Sequence, residues 1–284
     1  MKNVLKTPSQ RFSCDDDCYK FMAEIKWPDE RFVCRRCGNT TYHRGRSPYS
    51  RRCNKCKHDE SVTSGTMLDK LKFPILTAFN IISCLATRDT GFSSSKLAGN
   101  FGIQPKSYLA FRYKVQQAIS LIEQKPLIDA VGLGVFSMES IEYDNWCKRE
   151  RPKQRIAVAA EIKGTTVNRA FAWVMEEDTA HYLSPFVKRF IHPQAHIFMI
   201  ERYGFKQLQR EHKLMTFVHD VPLLSEYFKS LRKGVLFDTY CLTYDHLQGY
   251  LDEYHFRLNS RRNSYRNFDR VIKVMMQVKK EINK

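Results

Sequence analysis

The sequence predicts an α+β protein of several domains: a small four-cysteine module, a helical region, and a mixed sheet with flanking helices. Three features of the chain point to this arrangement. Two Cys-x2-Cys pairs lie near the N-terminus, and from Phe73 to Ile122 apolar residues recur at helical spacing. Beyond residue 134 the period changes, and strand-like runs come first three together and then alternate with helices. The expected division is 1–66 for an N-terminal helix plus the cysteine module, 67–123 for the helical region, 124–134 for a linker, 135–240 for the sheet, and 241–284 for a C-terminal helix and basic tail.

A chain of 284 residues, 43% hydrophobic and 27% charged, has material for a buried core and the composition of an ordinary folded protein. Its 47 Lys and Arg against 30 Asp and Glu leave a formal charge of +17. A polyanion would neutralise such a surplus with release of counterions, so nucleic acid is the expected partner. The opening MKNVLKTPSQRF does not resemble a signal peptide, and the apolar stretch Phe73 to Ala86 is too short to span a bilayer. A cytoplasmic protein, nucleoid-associated when bound to DNA, is expected, with no membrane partner. No P-loop, dinucleotide fingerprint or Ser-His-Asp signature is present.

The first element is a short helix over 13–25, started by Ser13 and the acidic run Asp15 to Asp17, whose carboxylates suit the positive end of the helix dipole. Next come Cys34-Arg-Arg-Cys37 and Cys53-Asn-Lys-Cys56, fifteen residues apart. Each two-residue gap lets a tight turn aim two sulfurs at one ion, and the interval suits a returning hairpin. In a chain without a secretory signal, nine cysteines point to metal-held thiolates before disulfides. Cys34, Cys37, Cys53 and Cys56 are therefore expected to hold a structural zinc ion, with no coordination position left open for chemistry. Arg35, Arg36, Arg46, Arg51 and Arg52, with Lys55 and Lys57, are the expected contacts of this ribbon to a phosphate backbone. Cys14 and Cys18 have no second pair to complete a site, and Cys84, Cys147 and Cys241 are expected to act as small apolar residues.

Three helical segments follow: Phe73 to Thr87, Ser93 to Phe101 with a break at Gly102, and Pro105 to Ile122. Helix, short Gly-containing turn and helix form the outline of a helix-turn-helix, in which Lys106, Ser107, Arg112 and Lys114 would face DNA. Strands are expected at 135–144, 155–162, 168–175, 195–200 and 214–219, and helices at 179–191, 205–213 and 243–259. That order is the order of a ribonuclease H-like core.

Several blocks together resemble bacterial insertion-sequence transposases of the Merlin-related group, which pair an N-terminal zinc ribbon with a ribonuclease H-like domain. They are WPDERFVCRRCG, RRCNKCKHDESVTSGTMLDKLKFP, SSSKLAGNFGI, SEYFKSLRKGV and HLQGYLDEYHFRLNSRR. The resemblance implies double-stranded DNA as partner, a homo-oligomer on that DNA, and strand cleavage and transfer by carboxylates that hold Mg2+ or Mn2+. It puts the first acid at Glu139, counted from Gly134, or at Asp144 in a shifted register. The second acid's place is taken by Ile200, leaving its neighbour Glu201, and the third falls on Ser225, with Glu226 one step later. These departures imply a degenerate carboxylate site. Two functions are thus expected: a DNA-cutting transposase, or a degenerate or domesticated one that only binds DNA.

Overall fold

The computed structural model describes residues 11–87, 94–138, 154–175, 180–200, 205–212, 214–236, 246–261 and 266–277. The chain divides into two compact units: one holds 1–90, 97–122 and 263–284, the other 91–96 and 123–262.

In the first unit, α1 (Asp15–Lys26) is followed by a turn of 3-10 helix at Pro28–Glu30. Asp17 accepts hydrogen bonds from the Ser13 N–H and hydroxyl at 2.8 and 2.7 Å, which fixes the start of α1 and holds the Asp17 carboxyl below its usual range. Strands β1 (Tyr42–Arg44), β2 (Arg51–Cys53) and β3 (Asp59–Glu60) form a small antiparallel sheet. The helices α2 (Ile75–Thr87), α3 (Ser94–Asn100) and α4 (Pro105–Ser120) follow. Asp15 also accepts the Leu76 N–H at 2.9 Å, so one carboxylate of α1 caps the first turn of α2.

The last described helix, α9 (Asn267–Gln277), returns to this unit. Phe268, Val271, Ile272 and Met275 are fully buried, and Phe268 meets the rings of Phe12 and Phe79 at 5.7 and 5.4 Å. The Met67 N–H donates to the Met275 carbonyl at 2.9 Å and the Asn267 amide to the Ala86 carbonyl at 3.0 Å. A single C-terminal module over 241–284 is therefore corrected. Its two helices belong to different units, because the apolar stripe of α9 matches the first unit's core.

The second unit is a five-stranded mixed sheet between two helical layers. Its strands are β4 (Ala130–Met138), β5 (Gln154–Lys163), β6 (Thr166–Met175), β7 (His196–Met199) and β8 (Met215–Phe217), ordered β6-β5-β4-β7-β8. The pairs β6·β5 and β5·β4 are antiparallel, whereas β4·β7 and β7·β8 are parallel. Helices α5 (Ala180–Phe190) and α6 (Phe205–Glu211) cover one face, through Leu183, Phe186, Val187 and Leu208. Helices α7 (Pro222–Leu236) and α8 (Leu247–Asn259) cover the other, through Leu224, Phe228, Leu231 and Leu251. Along β5 the period of two is plain: Ala157 and Ala159 enter the first layer, Ile156, Val158 and Ala160 the second.

The first strand of this sheet begins at Ala130, five residues before its expected start, and is described to Met138. Residues 139–144 of the expected strand lie outside the described residues. The expected linker 124–134 is corrected too, since Leu127 is fully buried and exchanges backbone hydrogen bonds with Phe190 and His192 at 2.8 and 2.7 Å. Gly132 and Gly134 mimic a linker in sequence, yet they occupy the middle of the sheet. A Cβ on Gly132 would meet Val221 at 3.4 Å and Leu224 at 3.5 Å, so small residues here let α7 approach closely.

The edge strand β6 is closed by side chains of α8. Asn259 accepts the Ala170 N–H and donates to the Ala170 carbonyl, both at 2.9 Å. Gln248 does the same for Val174 N–H at 2.8 Å and the Ala172 carbonyl at 3.1 Å. Backbone groups that would otherwise template another chain are thereby satisfied.

Candidate metal centre and nucleic-acid interface

The two cysteine turns have the same construction. Gly38 N–H donates to the Cys34 carbonyl at 2.8 Å and Lys57 N–H to the Cys53 carbonyl at 3.1 Å. The residue after each pair is left-handed, at φ +70 for Gly38 and φ 57 for Lys57. Glycine takes that conformation freely, while Lys57 bears a steric penalty that the turn imposes.

These turns bring Cys34, Cys37, Cys53 and Cys56 together, with all four sulfurs within 4.8 Å of one another. Cys34 Sγ lies 3.5 Å from Cys56 Sγ, and Cys37 Sγ lies 3.6 Å from Cys53 Sγ. Four thiolates placed tetrahedrally about zinc at about 2.3 Å stand roughly 3.8 Å apart, so the donor set fits the ion. Among the described residues it is the one group of three or more His, Cys, Asp or Glu side chains gathered closely enough to hold a metal.

Donors around the sulfurs favour thiolate. Burial opposes ionisation of Cys53, but the Cys56 and Lys55 N–H groups and the thiols of Cys37 and Cys56 outweigh it and bring Cys53 down to about 6. The Asn39 amide also points at Cys53 Sγ, 3.5 Å away. Sequence reasoning did not single out Asn39; the dipeptide Gly38-Asn39 is a turn signal that could have.

Beside the Tyr49 hydroxyl's bond to Asp16 at 3.0 Å, two groups of contacts fix the ribbon to α1 and to the turn that follows it. Lys26 and Glu60 are both buried and pair at 3.1 Å, and the Lys26 ammonium also donates to the Ser61 and Ser64 carbonyls at 2.6 and 2.8 Å. Burial pulls Lys26 down to about 8 even with Glu60 beside it. The second contact is a stack: the Arg51 guanidinium lies 4.2 Å from the Tyr42 ring centre and 4.6 Å from that of Trp27, and donates to the Glu30 carbonyl at 2.8 Å.

The expected DNA contacts therefore separate. Arg36 and Arg46 are exposed, and Arg35 is half-exposed with its Nε on Glu60 at 3.0 Å. Arg51 is committed to its stack, and Arg52 is half-buried on β2 opposite His43. On α4, Lys106 is exposed and Ser107 partly so. Arg112 is corrected: it is 1% exposed, on the inner face of α4 with Tyr108, Phe111 and Val115, so its guanidinium does not face solvent. Lys114 turns back to the Met67 carbonyl at 3.1 Å.

Of the candidate acids, Glu139, Asp144 and Glu201 lie outside the described residues, and Glu226 is an exposed residue of α7. The described ends of β4 and β7 on the α7 side are apolar. Ile200 lies over Gly134, and Phe136 stacks on Phe228 with ring centres 4.2 Å apart. Ser225 donates weakly to Asp220 at 3.5 Å.

No helix among the described residues is long and apolar enough to cross a membrane. No curated protein matches the chain. The crystal structure of a pre-cleavage Mos1 transpososome aligns with 9% identity over 70% of this chain and 77% of that one, at a TM-score of 0.28, too low to bear on the fold. Residues 13–59, which contain α1, both cysteine turns and the hairpin, match the model of a transposase zinc-ribbon domain, and that segment is similar to the domain throughout the metal centre.

Proposed function

We propose that the chain is a transposase-like protein that binds duplex DNA through its first unit, with a ribonuclease H-like core as its second. The observation that carries this is the four-cysteine ribbon, matched to a transposase zinc-ribbon domain, with Arg36, Arg44, Arg46, Lys55 and Lys57 all exposed on it. Fixed cations on a rigid metal-bound loop suit phosphate contacts, which give affinity and a steep salt dependence. Three antiparallel strands, followed by two parallel ones placed beside the first strand, support the ribonuclease H-like assignment. Zinc belongs to the ribbon, where the chain's own cysteines hold it and its contribution is to folding. Holding two DNA ends at once would call for a homo-oligomer on DNA.

The test is duplex binding by the zinc-loaded chain across a salt series. Affinity that falls linearly on logarithmic axes supports the proposal, and no duplex binding at low salt overturns it.

A second reading concerns chemistry. Metal-dependent strand cleavage needs carboxylates converging at the ends of β4 and β7 and on α7. The packing of Ile200 over Gly134 and of Phe136 on Phe228 favours a protein that keeps DNA binding and has lost cleavage. Nicking or joining of DNA dependent on Mg2+ or Mn2+, abolished by Glu139→Ala, would overturn this second reading and leave the first intact.

A further inference from the structure

The basic C-terminal segment has no part in the metal centre, and the fold gives it two opposite faces. Asn267, Phe268, Val271, Ile272, Met275 and Met276 of α9 are buried in the first unit's core. Arg266, in the turn that leads into the helix, Arg270 and Lys273 recur at the four- and three-residue steps that put side chains on one helical face. Arg266 and Lys273 are exposed and Arg270 is partly so. The only acid between Asn267 and Gln277 is Asp269, and its carboxylate is taken by Arg11 at 2.7 Å. The outward face thus carries three cations at helical spacing.

We infer that this outward face of α9 is a phosphate-contacting surface, so that the chain's C-terminus supplies a part of the DNA interface of the unit that carries the zinc ribbon. The inference rests on the duplex-binding function proposed above. Charge complementarity is the first argument: the chain carries +17, and a stripe of three cations is matched by a polyanion rather than by a neutral protein surface.

Rigidity is the second argument. The Met67 N–H to Met275 carbonyl bond and the Asn267 to Ala86 bond fix the helix at both ends, at 2.9 and 3.0 Å. Cations mounted on a locked helix lose less freedom on binding than cations on a free tail. Length is the third. Seven helical residues advance about 10 Å, which lets the long cationic side chains reach roughly two neighbouring phosphates of one DNA strand.

The experiment uses the full zinc-loaded chain and a duplex of arbitrary sequence. Two variants are compared with the unaltered protein: Arg266→Ala/Arg270→Ala/Lys273→Ala, and Arg266→Glu/Lys273→Glu, which spares the half-buried Arg270. Zinc content and melting temperature establish that each is folded, and if the triple variant fails there the double variant decides. The expected result is affinity weaker by at least about tenfold at low salt, with the logarithmic salt slope shallower by about 0.9 for each phosphate contact removed. Folded variants that match the unaltered chain in affinity and slope overturn the inference and leave duplex binding standing. An unaltered chain that binds no duplex overturns the DNA-binding proposal itself, and this inference with it.

Discussion

Ile200 occupies the space that a side chain on Gly134 would need: a Cβ there would lie 2.7 Å from Ile200 Cδ1 and 3.1 Å from Phe136. Gly134 lies on β4 and Ile200 directly follows the parallel neighbour β7, held there by the Ile200 N–H to Leu133 carbonyl bond at 3.1 Å. Gly134→Ala must displace Ile200 or the strand. It is expected to destabilise the second unit by about 1–3 kcal/mol, the usual range for overpacking, read as a lower urea midpoint with an unchanged m-value.

The metal centre makes a prediction of stoichiometry and dependence. One zinc ion per chain is expected by elemental analysis, and Cys37→Ser or strong chelation should unfold the ribbon, because the metal supplies most of its folding energy. Loss of the Tyr42 and Trp27 environment, followed by near-ultraviolet circular dichroism, checks this. A chelated protein with an unchanged spectrum would remove zinc from the account.

Arg51 and Arg36 are close in sequence and should behave oppositely. Arg51→Lys gives up the planar stack between Tyr42 and Trp27 and should lower ribbon stability by about 0.5–2 kcal/mol, since an ammonium cannot reproduce the stacking. Arg36→Ala should leave the melting temperature unchanged and weaken duplex binding, with a salt slope shallower by about 0.9. Thermal melts run beside salt titrations separate the two roles.

Asn259→Ala removes both hydrogen bonds that close the β6 edge at Ala170. A destabilisation of about 1–3 kcal/mol is expected, together with a higher rate of self-association, because an unpaired strand edge is a template for another chain. Light scattering on heating would register the second effect even if the first were small.

The fully buried His255 accepts from Tyr227 at 2.8 Å while its other nitrogen donates to the Leu251 carbonyl at 2.6 Å. Burial brings it down to about 4 from 6.5. The unfolded chain then takes up a proton first as pH falls, so this residue's contribution is complete above about 6.5 and is lost between about 6.5 and about 4. Its size is on the order of 3 kcal/mol. Asp252, on the same helix, acts in the opposite sense: burial pushes it up to about 6 from 3.8, so the fold holds its proton more tightly. The clean measurement is therefore the difference in stability between the unaltered chain and His255→Phe, which should shrink as pH falls from 7 to 4.

Much of this architecture could be read along the chain. Each of the two cysteine turns is complete within a few residues, so the metal centre was expected from spacing and found in the geometry. The five strands of the second unit were also expected in their order, because a buried strand such as Ile156 to Ala160 carries its alternation in its own residues. The start of β4 was not, since Ala130, Gly132 and Gly134 have the composition of a linker and only the closeness of α7 and Ile200 explains them. For the acids, the resemblance could name Glu139, Asp144, Glu201 and Glu226, but their roles depend on where separate strands and a helix converge.

The zinc ribbon, the cationic surplus and the succession of strands and helices are written in the residues themselves, because they follow from spacing and periodicity within short segments. That Arg112 points inward, that Arg51 is a stacking residue and that α9 closes the core of the N-terminal unit came only from the packed fold. Those outcomes depend on which apolar faces meet across long stretches of chain, and no local pattern encodes the partner of a face.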